Sequence, residues 1–223
     1  MFAVAAPARA GLSRGGTSRR LTARPRAVRD ATPMQRGTLA PFPARFPHAA
    51  SNAWLARRWY YTARSHRAYS VREISPGDRR LLAEFALALS GAAGERERTE
   101  LQALTRMLFD RVIAGGADAA VGFAALENTA AGDRVIGVCA YGPSRDEGAD
   151  FNIAIANSYR EEQVGRTLLS TLLRHAKRAG VRRVEGEMWW SNRPMQMLAM
   201  SLGFSVEPLE RDRTHRRLTL GLR

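Results

Sequence analysis

Apolar and polar positions fall into regular patterns only from about residue 69 onward. Tyr69–Ile74 alternates as a short strand does. Ser75-Pro76-Gly77-Asp78 then reads as a helix start. Leu81, Leu82, Phe85, Ala86 and Leu89 follow at helical spacing, until Gly91–Gly94 breaks the pattern. Leu101, Leu104, Leu108, Val112 and Ile113 predict a second helix that stops at Gly115-Gly116. Val121–Leu126 and Val135–Tyr141 predict two strands joined by the turn-rich Glu127–Asp133, and Asp150–Ala156 predicts a third. The clearest helix comes next, with Val164, Leu168, Leu169, Leu172, Leu173 and Ala176 on one face and Gly180 as its stop. A strand at Val184–Trp189 leads to a helix that opens at Pro194 behind Ser191 or Asn192 as cap and closes at Leu202-Gly203. Strands near Phe204–Val206 and Leu218–Leu222 end the chain. This order predicts a mixed α/β layer.

The first 50 residues are rich in Ala, Arg, Pro, Gly and Ser and show little periodicity. Such a segment cannot bury enough surface to offset its ordering entropy, so 1–68 is expected to be a basic extension that is largely disordered. Within it, Trp54, Trp59, Tyr60 and Tyr61 among arginines suit a short docked helix or a linker. The extension resembles a transit segment in being Arg-rich and acid-poor. The plainer reading is that translation starts later, for instance at Met34. The ordered domain is expected over 69–223.

Charge sharpens this division. Residues 1–70 hold thirteen Arg against the single acid Asp30, while the remainder is close to balanced, with 22 basic and 20 acidic residues. The high pI therefore describes the front of the chain, and nucleic acid is not expected as a partner, because binding needs clustered charge on a folded face. Lys177 is the only lysine; the skew to Arg, with abundant Ala and Gly, suggests a bacterial source. No stretch approaches the roughly 18 apolar residues of a membrane span, and a cytoplasmic location is expected. Cys139 is alone in an apolar run, so a packed core thiol is expected rather than a disulfide or a nucleophile. His175 is expected on the solvated side of its helix and His215 among arginines; neither has a partner at metal-ligand spacing, so no metal site is expected.

The chemistry concentrates at Ile153–Leu169, where a strand runs through a tight loop directly into an amphipathic helix. Unpaired N–H groups and the positive dipole end of that helix favour an anion. Gly165 permits close approach of a ligand, and Arg160 and Arg166 add charge. An ordinary strand-to-helix turn remains the alternative on these grounds alone.

The loop resembles the pyrophosphate loop of the GNAT acetyltransferases, Gln/Arg-x-x-Gly-x-Gly/Ala, with Arg160 in the first place and Gly165 in the last. Gln163 stands where the first glycine usually is, and Glu161 and Glu162 lie between. In register with it, Asn192-Arg-Pro-Met…Leu-Gly-Phe204 resembles the family's Asn helix and its Leu-Gly-Phe ending. The pattern Glu185-Gly-Glu…Asn192-Arg-Pro-Met…Ala199 is similar to the bacterial Pat-type protein-lysine acetyltransferases, which also have Ala where many relatives carry a Tyr acid. The resemblance spans Val71–Leu222. It implies a GNAT fold, a twisted mixed sheet with splayed central strands and flanking helices. It also implies an N-acetyltransferase with acetyl-CoA as cosubstrate and an amine acceptor, a protein lysine among the candidates.

Carried over by position, the pantetheine arm would lie on the backbone of Ile153, Ala154 and Ile155. The pyrophosphate would rest on Arg160, Gln163, Val164, Gly165, Arg166 and Thr167, with Asn192 touching the CoA arm. Asp150 of Asp150-Phe-Asn-Ile matches the Glu that serves as proposed base in the Pat-type pattern. A lysine ammonium, with a pKa near 10.4, must lose a proton before attacking a thioester, so a carboxylate is the group to look for. Glu185 and Glu187 share one face of their strand, and Glu187 is the reserve candidate. Trp189-Trp190 closes that strand as core, rim or pocket lining. The competing reading is a non-catalytic acetyl-CoA-binding regulatory module.

Overall fold

The computed structural model describes residues 58–91, 101–102, 104–115, 119–144, 148–210 and 212–222. Residues 1–57, most of the expected basic extension, lie outside the described residues, as does most of the expected Gly91–Gly94 break. Among the described residues eight strands form one sheet in the order β1-β2-β3-β4-β5-β6-β8-β7. They are β1 (Trp59–Thr62), β2 (Ala68–Glu73), β3 (Val121–Thr129), β4 (Gly132–Pro143), β5 (Ala149–Ile155), β6 (Arg183–Trp189), β7 (Ser205–Leu209) and β8 (Asp212–Gly221). The only parallel neighbours in this order are β5 and β6.

Each face of the sheet is covered by helices, which explains why β3, β4 and β5 read as continuous apolar runs rather than as clean alternation. Helix α1 (Arg79–Gly91) and a π-helical segment (Met107–Ile113) bury Leu82, Phe85, Leu108 and Val112 against Ala124, Val138, Ala140 and Ala154. On the other face α2 (Val164–Arg178) buries Leu168, Leu169 and Leu172 against Phe123, Ile136, Phe151 and Ile153. There α3 (Arg193–Ser201) adds Met195 and Ala199. The corner between β2 and α1 is held by Asp78, whose carboxylate takes both arms of the Arg72 guanidinium at 2.7 and 2.6 Å and the Ser75 N–H at 2.7 Å. Cys139 is fully buried, with its thiol 3.5 Å from the Leu168 carbonyl; burial pushes its pKa far up, as suits a packed core thiol.

Three features differ from the sequence reading. The sheet starts at Trp59, inside the stretch expected to be a helix or linker. Trp59–Thr62 pairs antiparallel with Ala68–Val71, the Tyr61 and Tyr69 rings stack at 5.6 Å, and Arg58 reaches Asp133 at 2.6 Å. The last strand begins at Asp212 rather than Leu218, because its polar residues pair with β6 and β7 and need no apolar pattern. His175 is half-buried rather than solvated: its Nδ1 lies 2.7 Å from the Tyr141 hydroxyl and its ring meets Phe123 edge-on, so burial, then Arg178, lowers its pKa.

Candidate active site

The strand β5 is paired with β4 along its whole length but with β6 at only two positions, Ala149 with Val184 and Asp150 with Glu185. Beyond Asp150 the two parallel strands separate. The Ala156 N–H bonds the Ile136 carbonyl at 2.9 Å, on the β4 side. Peptide groups alternate sides along a strand, so those of Ile153 and Ile155 turn away from β4 into the gap, while that of Ala154 turns toward β4. Gly137 in β4 leaves room for the side chains behind it: a Cβ there would stand 2.7 Å from Ile155 Cδ1 and 3.0 Å from Leu168 Cδ1. The gap is thus lined along β5 by backbone donors and acceptors that lack a neighbouring strand.

At the open end of the gap the chain makes a turn at Asn157–Tyr159, passes Arg160, and enters α2 at Val164. Glu161 and Gln163 both adopt left-handed backbone, with φ of 62° and 66°. Gln163 therefore has the conformation that a glycine takes without cost, and its carbonyl accepts the first helical bond, from the Thr167 N–H at 3.0 Å. The N–H groups of Val164, Gly165 and Arg166 have no acceptor within the helix and point out of its N-terminus. Gly165 has no left-handed strain, and a Cβ there would meet Leu198 Cδ2 at 3.4 Å and Ile155 Cγ1 at 3.7 Å, between α3 and the end of β5. The β1–β2 turn braces this loop. Glu162 accepts the Ser65 N–H at 2.7 Å, which, with Arg67 nearby, holds its carboxyl below the ordinary value. Arg67 donates to the Ser158 carbonyl at 3.0 Å and lies 4.0 Å over the Tyr159 ring, while Tyr69 and Thr167 share a hydroxyl contact of 2.9 Å. Glu162 thus spends its charge on the hairpin turn.

At the closed end, carboxylates gather on the face covered by α1. Asp150 lies beside Glu185 across the parallel pair, and Glu187 shares that face one pleat further along β6. Burial raises the Glu187 pKa, His215 and Arg217 draw it down, and the negative charges of Asp150 and Asp212 raise it again, so Asp150 and Glu187 feel one another. Glu185 is paired with Arg183. Asp150 stands opposite Gly142 of β4, and a Cβ at Gly142 would lie 2.5 Å from Arg111 Nη2, which places a guanidinium over the neighbouring strand. His215, opposite Trp189, stacks on its ring at 4.0 Å and contacts Asp212 at 2.8 Å. Thr214, through its hydroxyl and its N–H, and then His215 hold Asp212 down to about 2.

A family model described as "Acetyltransferase (GNAT) domain" matches residues 70–205. The chain belongs to the GNAT acetyltransferase family. No curated protein sequence matches it. Among solved structures it is similar to the GNAT domain of S. lividans PAT, at 18% identity and a TM-score of 0.55, covering 77% of this chain and 98% of that one. It is also similar to a GNAT-family acetyltransferase of Streptococcus pneumoniae (16%, TM-score 0.53, 70% and 99%). A third neighbour is the ribosomal-protein-S5-alanine acetyltransferase of Vibrio fischeri (12%, TM-score 0.52, 74% and 97%). At these identities the likeness shows the fold.

Within this GNAT frame the sequence-predicted residues form two groups joined by β5. Asp150 and Glu187 sit at the closed end; Arg160, Gln163, Val164, Gly165, Arg166 and Thr167 surround the open end. Arg166 is exposed and bonds Ser201 Oγ at 2.7 Å, which ties α2 to α3. Asn192 is buried as the cap of α3, its Oδ1 taking the Met195 N–H at 3.3 Å. Ala199 is fully buried in the core. A cavity of about 600 Å³ opens between α1 (Arg80, Glu84), the start of β4 (Asp133, Arg134) and Ala156–Tyr159. It lies ~20 Å along β5 from Asp150, too far to present an acceptor to that carboxylate.

The contributions of Ser65, Arg67 and Tyr69 were not visible in the sequence, because they depend on the unforeseen strand β1. The left-handed Gln163 yields a direct expectation. Gln163→Gly removes backbone strain of about 1 kcal/mol and should raise the melting temperature by ~2–4 °C; an unchanged or lower value would contradict the strained turn.

Proposed function

We propose that the chain transfers an acetyl group from acetyl-CoA to an amine, and that it belongs with the Pat-type enzymes whose acceptor is a protein lysine. The observation that carries the reading is a single strand, β5, with unshared peptide groups along the gap, a helix N-terminus at one end and two carboxylates at the other. The lysine class rests on the resemblance of Glu185-Gly-Glu…Asn192-Arg-Pro…Ala199 to that subgroup.

In this reading the peptide groups of Ile153 and Ile155 take up the pantetheine arm as an added strand. The N–H groups of Val164, Gly165 and Arg166, with Arg160, hold the pyrophosphate. Asn192, whose Oδ1 caps α3, approaches the arm from that helix. Asp150 accepts a proton from the acceptor ammonium, directly or through water. The freed amine forms its bond to the acetyl carbon, gap-lining backbone N–H groups stabilise the charge on the carbonyl oxygen, and the thiolate departs. Ala199 offers no acid, so the proton that the attacking nitrogen loses on becoming an amide passes through water to the thiolate. Glu187 stands in reserve: burial raises its pKa and so favours its taking a proton if substrate reaches it.

Two substitutions test the two ends of the gap. Gly165→Asp puts a negative charge at the helix N-terminus, beside the N–H groups that would hold phosphate, while its Cβ meets only ordinary contacts and an acid suits the first helical turn. It should abolish acetyl-CoA binding by calorimetry and leave the melting temperature nearly unchanged; equal affinity would remove the cosubstrate from this loop. Asp150→Asn should keep acetyl-CoA affinity and lose about 10²–10⁴-fold in turnover at neutral pH. The loss should shrink at high pH, where more acceptor amine is neutral. Wild-type turnover in that variant would transfer the role to Glu187, whose acid limb in kcat/KM should then lie above the ordinary carboxylate range. Acetyl-CoA binding without turnover on any amine would favour the regulatory module.

A further inference from the structure

The side chain of Asn152 is fully buried, and neither its Oδ1 nor its Nδ2 has a hydrogen-bond partner among the described residues. A buried carboxamide normally has both, because leaving either unmade costs the full desolvation of that atom. Its position gives the reason a purpose. Asn152 alternates with Phe151 and Ile153, which belong to the core under α2, so it shares the opposite face with Asp150 and Ala154. On one side it stands opposite Ala140 of β4, a small residue. On the other side β6 has already left, since the last paired residues are Asp150 and Glu185. The amide therefore lies at the closed end of the gap, one pleat beyond the candidate base.

We propose that Asn152 is a substrate-contacting residue whose Nδ2 donates a hydrogen bond to the carbonyl oxygen of the acetyl thioester. The assignment rests on the reading that acetyl-CoA occupies this gap. A carboxamide has donors for a carbonyl oxygen and, at Oδ1, an acceptor for an incoming N–H. A thioester meeting an amine at the end of the gap presents both. Asn152 thereby distinguishes the acylated cosubstrate from the spent one, because CoA brings a thiol and no carbonyl to the same place.

The test needs no knowledge of the acceptor. The full chain, Asn152→Leu and Asn152→Ala are titrated with acetyl-CoA and with CoA by calorimetry. The wild type should prefer acetyl-CoA, and both variants should lose ~5–10-fold of that preference, the equivalent of one buried hydrogen bond, with CoA affinity held within about twofold. Asn152→Leu should melt no lower than wild type, since it removes both orphaned atoms while keeping the branched shape. In the wild-type protein, the Asn152 side-chain NH2 signal should shift with acetyl-CoA and much less with CoA, a reading independent of any variant. A retained preference in both variants, an equal loss for both ligands, or an NH2 signal that ignores the acetyl group would overturn the assignment while leaving the proposed activity standing. Failure of the wild type to bind either ligand would overturn the proposed activity, and this assignment with it.

Discussion

The site depends on the release of β5 from β6 after two paired residues. A parallel pair that continued would satisfy the peptide groups of Ile153 and Ile155 and close the sheet, leaving no place for a ligand. Separation instead leaves a buried strand with one satisfied side and one open side. Buried backbone groups strongly disfavour that state unless another chain or ligand completes the ladder. Gly137 gives the Ile155 and Leu168 side chains room against β4 at this point. The same separation fixes the two ends: the carboxylates at the last paired residues, and the helix N-terminus where β5 has moved away.

The open end is held by contacts from outside the matched region as well as inside it. Ser65, on the turn between β1 and β2, holds the Glu162 carboxylate through its N–H, and Arg67 fixes the turn at Ser158 and Tyr159. The departure at Gln163 is likewise one of cost rather than of path. Its backbone follows the left-handed route that a glycine would follow, so the loop keeps its shape at the expense of some stability.

Much of this was legible in the sequence. Periodicity located α2 and the strands on either side of it, because their apolar faces are long and regular. Arg160, Gly165 and Asn192 became candidates through the match of their loop and helix to the GNAT patterns. Strand β1 escaped because four residues carrying two tyrosines and a tryptophan among arginines have no clear period. The start of β8 escaped because Thr214, His215, Arg216 and Arg217 are polar and carry no apolar alternation, although they pair with β6 and β7. His175 was misplaced because helical spacing assigns it to the polar side, whereas Tyr141 reaches it from the sheet. Asn152 gave no signal at all: a polar residue in an apolar strand is unremarkable until β6 is known to diverge beside it.

Amide hydrogen exchange along β5 tests the central claim most directly, since it reads the very groups that the separation exposes. Adding acetyl-CoA to the full chain should slow exchange at Ile153 and Ile155 and at Val164–Arg166, with Ala154, already turned to β4, changing far less. Unchanged exchange at Ile153 and Ile155 under saturating acetyl-CoA would mean that the gap between β5 and β6 is not where the cosubstrate lies.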